Sequence, residues 1–513
     1  MVPFPVPSGS YRDLAVVKDG VVWIEVADRG GELGATRAGV TGEAPSDVLW
    51  HYNLSARHLD KLCERVDTFS VSGDGERLVV RHRDDIIVVP SSHKVDGDDP
   101  ACIRVDLTRL RRTVNPRAEW RQMFDENGRL MASHYWREDM NGVDWDGVLN
   151  RYRPLVDLCH VVDDLHDILW ETVAELNTSH SYVSASGAAG DSDMRAGLLG
   201  ADVSSGDDGA RVVRVIPGES SDPRAWSPLR AAGVAVTEGD VIVAVDGRKV
   251  GADGNLGELL EGSAGRVVEL TVRRGENERQ VAVVPMADEA PLRYHDWVAS
   301  RRRYVEEHSG GRLGYLHVPD MVSDGWAELH RQIGEATRHE GVIADVRFNH
   351  GGHTSQLVVE RLARRVVGWD YSRWYTTADT YPQNAVRGPI VMVTNQWAGS
   401  DGDIVAAATQ AMGYAKVIGE RSWGGVVGID GRFDLVDGTS VTQPRYAGWY
   451  GSYGWGVENH GVDPDIVVTV SPEDWEADRD VQLDAAIAEC LRQLDDKPAA
   501  TAPELPGPAF DRC

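Results

Sequence analysis

The sequence predicts a multidomain α+β protein, and three observations predict it. The chain has 513 residues, too many for one hydrophobic core, so several domains are expected. Its hydrophobic pattern changes period along the chain, from strand alternation to helical spacing, back to strands, and then to buried strands alternating with helices. Gly-rich turns and polar loops mark the changes. The apolar fraction of 42% and charged fraction of 26% are those of ordinary globular domains.

Residues 11–26, YRDLAVVKDGVVWIEV, read as a hairpin with Asp19-Gly20 at the turn. Residues 30–47, GGELGATRAGVTGEAPSD, show no periodicity and are expected to be disordered. Residues 68–90 again alternate strand and Gly/Asp turn, with the rhythm of a β-propeller blade. One or two blades cannot close a propeller, so 1–104 is expected to be a residual blade segment. Near Asp106 the spacing becomes helical. Asn115 is placed to cap a helix with Pro116 at its first position, and further helices are expected at about 148–157 and 163–177. Residues 105–194 therefore read as a small helical bundle.

Residues 195–288 are β-rich and resemble a PDZ domain in the run SPLRAAGVAVTEGDVIVAVDGRKV, a helix and a Gly followed by a strand pair. Such modules bind an extended peptide at a sheet edge; a spacer that binds nothing is the alternative. From 289 to 490, apolar strands such as GVIADVRFN and GPIVMVTNQ alternate with helices. That pattern predicts a covered, mixed sheet whose chemistry lies at the carboxyl ends of its strands. Residues 491–513 read as a disordered tail.

Composition excludes several functions. The formal net charge of −28 argues against nucleic acid, whose phosphates need a positive face. Acidity serves solubility first and attraction of cationic peptides second. No apolar run approaches the roughly 18 residues that a membrane span needs. The opening MVPFPVPSGSYRD has neither the basic start nor the long apolar stretch of a signal peptide. Cys63, Cys102, Cys159, Cys490 and Cys513 are scattered without a CxxC pair, which fits a reducing cytoplasm. His350 and His353 offer two nitrogens with no Cys nearby, short of a metal site. No metal or cofactor is expected.

Two loops fall at predicted strand ends. In PIVMVTNQWAGSDGD a buried strand leads through small residues to Ser400 and then a helix, the setting of a nucleophile. An ordinary helix N-cap is the competing reading. In DVRFNHGGH, Gly351 and Gly352 free backbone N–H groups for close approach, so with the N–H of Asp401 they are candidates for an oxyanion hole. His180, in the polar loop after the third helix, is the candidate base. Glu458, in GWGVENHGVDPDIVV, is a candidate to orient it, against a plain surface role.

Taken in order, ELNTSHSYV, the PDZ-like module, DVRFNHGGH, NQWAGSDGD and VENHGVDPDI resemble the tricorn protease family over roughly residues 11 to 490. The resemblance starts near the end of that family's second propeller. It implies residual β-propeller blades, a small helical bundle, a PDZ-like domain and an α/β catalytic domain with a mixed sheet. It also implies a Ser-His-Ser-Glu tetrad matching Ser400, His180, Ser179 and Glu458, and oxyanion donors at Gly352, Gly351 and Asp401. Family members select basic or hydrophobic P1 residues through an acidic residue, for which Asp370 lies in about the right place. The implied activity is hydrolysis of oligopeptides in the cytoplasm, downstream of the proteasome, by a homo-oligomeric trimer or hexamer. The family's basic propeller residues, which hold the substrate's carboxy-terminus, have no counterpart in this sequence, so control of peptide length is expected to be relaxed. Two alternatives stay open: a carboxy-terminal processing protease, which pairs its serine with a lysine, and a catalytically inert PDZ peptide-binding protein. No Lys follows Ser400 before Lys416.

Overall fold

The strand alternation of residues 11–105 folds into two four-stranded antiparallel sheets, each an up-and-down meander of the kind found in propeller blades. The first runs through Tyr11–Val17, Gly20–Glu25, Val48–Asn53 and His58–Glu64; the second through Thr68–Val71, Arg77–His82, Asp85–Pro90 and Ile103–Val105. Their inward faces share one apolar core that includes Val22, Ile24, Leu49, Leu78 and Val80. The expected first turn falls one residue earlier, at Lys18-Asp19, because Gly20 pairs with Val17 and begins the return strand. A Cβ at Gly20 would lie 2.1 Å from the Tyr52 carbonyl oxygen, so packing rather than turn geometry requires this glycine. The computed structural model describes residues 6, 8–27, 46–83, 85–97, 99–111, 113–186, 194–251, 255–374 and 376–505, so most of the expected disordered stretch 30–47 lies outside the described residues. The chain folds into two compact units, one reaching Val114 and the other starting at Asn115.

The second unit opens with α1 (Pro116–His134), capped by Asn115, whose side chain accepts from Ala118 N at 3.3 Å. α2 (Trp145–Val156) and α3 (Val162–Ala174) complete a three-helix bundle around Phe124, Met131, Leu165 and Leu169. That core also takes Val183, Leu435 and Val441, so the bundle is packed against a distant part of the sequence. Residues 201–283 form an antiparallel sheet in the order Ala201–Gly206, Gly209–Val215, Val241–Val245, Val268–Arg274, Asn277–Val283.

The last part is built on β1 (Leu313–His317), β2 (Gly341–Asp345), β3 (Ile390–Thr394), β4 (Lys416–Gly419) and β5 (Ile466–Val467), in that spatial order. Every pairing between them is parallel. The expected mixed sheet thus resolves into a parallel one, with antiparallel pairs confined to small ribbons such as Gly368–Asp370 with Asp379–Tyr381. Strand alternation sorts the residues onto two faces. Val342, Ala344, Ile390 and Met392 pack on α5 (Ser323–Ala336), α6 (Ser355–Leu362) and α7 (Asp401–Met412). Ile343, Val391 and Val393 pack on α4 (Ala290–His308) and α8 (Val481–Asp496). The tail expected from 491 therefore starts inside α8, whose Cys490 and Leu494 are buried against the sheet. The apolar spacing of that helix runs past the polar residues that suggested its end.

A charge network sits beneath the β2 loop. Arg347 bonds Asp345 at 2.7 Å and Asp480 at 2.8 Å, and Asp345 also accepts from Tyr315 at 2.9 Å. Arg347, Asp345 and Asp480 are all buried. Removing one partner from such a group strands the others without water. Arg347→Ala is expected to destabilise this domain by about 3–5 kcal/mol, seen as a lower melting temperature in calorimetry; an unchanged melt would count against the network as a stabilising element.

Candidate active site

β3 ends at Thr394, and six residues later, at Ser400, the chain turns sharply into α7. Ser400 makes that turn at φ 59°, ψ −120°, a conformation that costs a non-glycine residue about 1–3 kcal/mol. Ser400 occupies the N-cap position, yet its side chain caps nothing. The N-cap reading therefore fails, and among the described residues the hydroxyl has no hydrogen-bond partner. Neighbouring bonds hold the turn: Gly399 N to Asn349 O at 3.0 Å, Gly402 N to Gly399 O at 2.8 Å and Trp423 N to Ala398 O at 2.9 Å.

The β2 loop approaches from the neighbouring strand. One carboxamide oxygen, Asn395 Oδ1, accepts from Phe348 N at 3.0 Å and Trp397 N at 3.2 Å, tying the two loops together. Gly351 has φ 76°, and a Cβ there would stand 2.5 Å from the Ser400 Cβ, so only glycine lets the loops come this close. Of the three expected oxyanion donors, Gly351 is already engaged: its N–H donates to Asn349 Oδ1 at 2.9 Å. That removes it from the set. The N–H groups of Gly352 and Asp401 donate to no acceptor among the described residues. Asp401 faces inward, where its carboxylate accepts from Ser355 N at 2.8 Å and from the Ser355 hydroxyl, fixing α6 to α7.

The histidine arrives from the bundle. Beyond α3, Thr178 Oγ1 bonds Tyr135 OH at 2.6 Å, and the chain turns through His180 at φ 59°. The ribbon Val183–Ser184 then pairs with Ser440–Val441. Thr442 clasps the junction: its hydroxyl donates to His180 O and accepts from Tyr182 N at 2.7 Å. His180 Nδ1 lies 3.0 Å from Ser179 Oγ, and Ser179 Oγ donates to Glu458 Oε2 at 3.0 Å. Glu458 accepts three more bonds, from Ser179 N at 2.7 Å, Val426 N at 2.8 Å and Val427 N at 3.0 Å. Ser179, His180 and Glu458 thus form one hydrogen-bonded chain across 279 positions of sequence.

The His180 ring is hydrogen-bonded to Ser179, and no hydrogen bond joins it to Ser400. His180 and Gly399, the residue before Ser400, both pack on Trp423. Its indole meets the imidazole edge-to-face at 5.4 Å and packs over Gly399, where a Cβ would lie 2.7 Å from Cε3. Asp370 lies apart from this cluster in the hydrogen-bond network, exposed on its two-stranded ribbon. His350 and His353 are exposed, their backbones pinned to Pro319 and Met321, and among the described residues no group of three metal-ligating side chains is placed to hold an ion. Sequence reasoning missed Trp423, Asn395 and Thr442. The available signal was the third loop at a strand's carboxyl end, RSWGGVV after β4.

Burial lowers the pKa of His180 below its ordinary value, and the Glu458 charge opposes that shift without cancelling it. The imidazole therefore stays neutral to a lower pH than a free one. By NMR titration, with the signal assigned from its loss in His180→Gln, the midpoint is expected below 6.5. Glu458→Gln removes the opposing charge and is expected to lower it further; a rise in that variant would contradict this electrostatic account.

Comparison with known proteins agrees with this architecture. Residues 116–174 match the Tricorn protease C1 domain, 197–288 the Tricorn protease PDZ domain and 312–468 Peptidase family S41. Tricorn protease homolog 1 of Streptomyces coelicolor is 55% identical over 99% of this chain and 48% of its own length. The Tricorn protease of Thermoplasma acidophilum is 34% identical over 96% of this chain and 45% of its own length. A crystal structure of the tricorn protease superposes with a TM-score of 0.86 at 33% identity, covering 96% of this chain and 47% of that one. The chain spans about half the length of the curated relatives it matches. Three domains in the same order, and similarity over nearly all of its residues, mean that the chain belongs to the tricorn protease family.

Proposed function

We propose that this chain is a serine peptidase that hydrolyses short peptides through an acyl-enzyme on Ser400. The observation that carries the proposal is the hydrogen-bonded chain from Glu458 through Ser179 to His180 Nδ1, beside an uncommitted serine on a strained strand-to-helix turn. Ser400 Oγ attacks the peptide carbonyl and passes its proton to His180 Nε2. His180 then protonates the leaving amine, and a water repeats the sequence to release the acid. Ser179 fixes the ring orientation, and Glu458 favours the imidazolium that forms. The N–H groups of Gly352 and Asp401 receive the oxyanion, each worth about 3 kcal/mol of barrier. The Ser400–His180 bond belongs to the substrate complex, since catalytic hydrogen bonds are often long in free enzymes and tighten later.

The rival processing-protease chemistry needs a lysine at the serine. Lys416 is exposed on β4 and paired with Asp465 at 3.4 Å, which favours histidine as the base. Asp370 is proposed to select basic P1 residues. The chain is further proposed to work in the cytoplasm, downstream of the proteasome, as a trimer or hexamer. Its unpaired thiols Cys63, Cys102, Cys159 and Cys490 suit a reducing compartment, and among the described residues no helix is long and apolar enough to cross a membrane.

Fluorogenic peptides with basic and hydrophobic P1 residues test the proposal. Ser400→Ala is expected to abolish turnover with an unchanged circular dichroism spectrum; wild-type turnover in that variant would remove the mechanism. Asp370→Asn is expected to lower kcat/KM for basic P1 by about tenfold relative to hydrophobic P1, and an unchanged ratio would discard Asp370 as selector. Sedimentation showing only monomer would reject the oligomer.

A further inference from the structure

Asp403 belongs to the first turn of α7, three residues after Ser400, and it is fully buried. Its carboxylate does not point to solvent or to a cation. Oδ1 accepts from Ser422 Oγ at 2.5 Å and from Gly424 N at 2.8 Å, and Oδ2 accepts from Gly425 N at 3.3 Å. The Ser422 hydroxyl in turn accepts from Val462 N at 2.8 Å. One carboxylate thus gathers the whole Ser422–Gly425 turn, and that turn carries two parts of the centre. Trp423 stands against the His180 ring. Val426 and Val427, directly after the turn, donate their N–H groups to Glu458. Gly424 has φ 91°, and a Cβ there would lie 2.5 Å from Gly461 N, so the turn is closely confined and has few other places to go.

We propose that Asp403 is a positioning residue of the hydrolytic centre, locking the nucleophile's helix to the 422–427 loop so that Ser400, His180 and Glu458 keep one mutual geometry. This rests on the serine-peptidase reading. A buried carboxylate that accepts only neutral donors is costly to ionise, and a purely structural site would be served as well by a neutral acceptor. Placed at the helix N-terminus, the charge has the helix dipole in its favour. Burial raises the Asp403 carboxyl to about 6, with the bonds from Ser422, Gly424, Gly425 and Ser400 pulling the other way. Other titratable groups around it are Asp401 on the same helix and Tyr450, whose hydroxyl is raised by burial and by both carboxylates. Across the loop stand His180, Glu458 and the exposed His460–Asp463 pair.

The test uses Asp403→Asn and Ser422→Ala in the full chain. At pH 8, where His180 is neutral, Asp403→Asn is expected to lower kcat by about 10- to 100-fold with KM changed less than threefold, as for loss of hydrogen bonds to a charged acceptor. Ser422→Ala removes one of the bonds to the carboxylate and is expected to give a smaller loss of the same kind. A second readout needs no turnover. In ¹⁵N-labelled Ser400→Ala protein, the Trp423 indole signal, assigned by its loss in Trp423→Phe, is expected to move when Asp403→Asn is added, while the other indole signals stay. An unmoved Trp423 signal, or wild-type kcat in Asp403→Asn, overturns the proposal. Should the wild-type chain show no turnover, the peptidase reading fails alone and the indole shift still decides whether Asp403 holds the loop. If Asp403→Asn does not fold, Ser422→Ala decides: wild-type kcat and an unmoved indole signal reject the proposal.

Discussion

The Glu458 carboxylate is the contact on which the arrangement depends. It accepts four hydrogen bonds, two from Ser179 and two from the loop after β4. Hydrogen bonds to a charged acceptor are each stronger than neutral ones. They join a segment that ends the helical bundle to loops of the parallel sheet, with the whole PDZ-like domain intervening in sequence. Asn459 adds a bond to Asn177 O at 2.7 Å, and the Thr442 hydroxyl binds His180 O and Tyr182 N. The bundle does not merely lie beside the sheet. It delivers the proposed base.

Around that contact the backbone is held in conformations it would not choose alone. Ser400, His180 and Phe348 all have positive φ without being glycine, and such strain persists only where the surroundings over-determine it. The surroundings are identifiable. Asn395 binds both β2 and β3 loops, Asp401 binds α6, and the Arg347–Asp345–Asp480 network anchors the strand from which the Gly-Gly loop departs. Each tie comes from a buried polar side chain with its partners satisfied. The glycines act in the opposite sense: Gly351, Gly399 and Gly424 leave the room that these contacts require.

Much of this was legible in the residues. The helix beginning at Asn115-Pro116 follows from capping chemistry, and the buried strands follow from apolar runs of strand length. Ser400, the Gly pair and Asp401 could be singled out as candidates because loops at the carboxyl ends of strands are where such chemistry collects. Ser179 was legible only through resemblance, and Glu458 only as a bare candidate against a plain surface role, since a serine and a glutamate in polar loops carry no strong local signature. The parallel order of the sheet was partly hidden, because an apolar run does not say which neighbour it pairs with. The end of α8 was misread because polar residues on its outer face resemble those of a loop.

The sequence by itself determined where most helices and strands fall, and where glycine and small residues make tight turns possible, because these follow from local spacing and backbone sterics. The tertiary structure alone decided which polar groups are spent and which are free. Gly351 N–H is consumed by Asn349 while those of Gly352 and Asp401 are not. Ser400 caps nothing although it sits where a cap would be. The Trp423 indole packs against both the His180 ring and Gly399, the residue before Ser400. Hydrogen-bond partners are set by distances of a few ångströms between residues hundreds of positions apart, and no spacing rule along the chain carries that information.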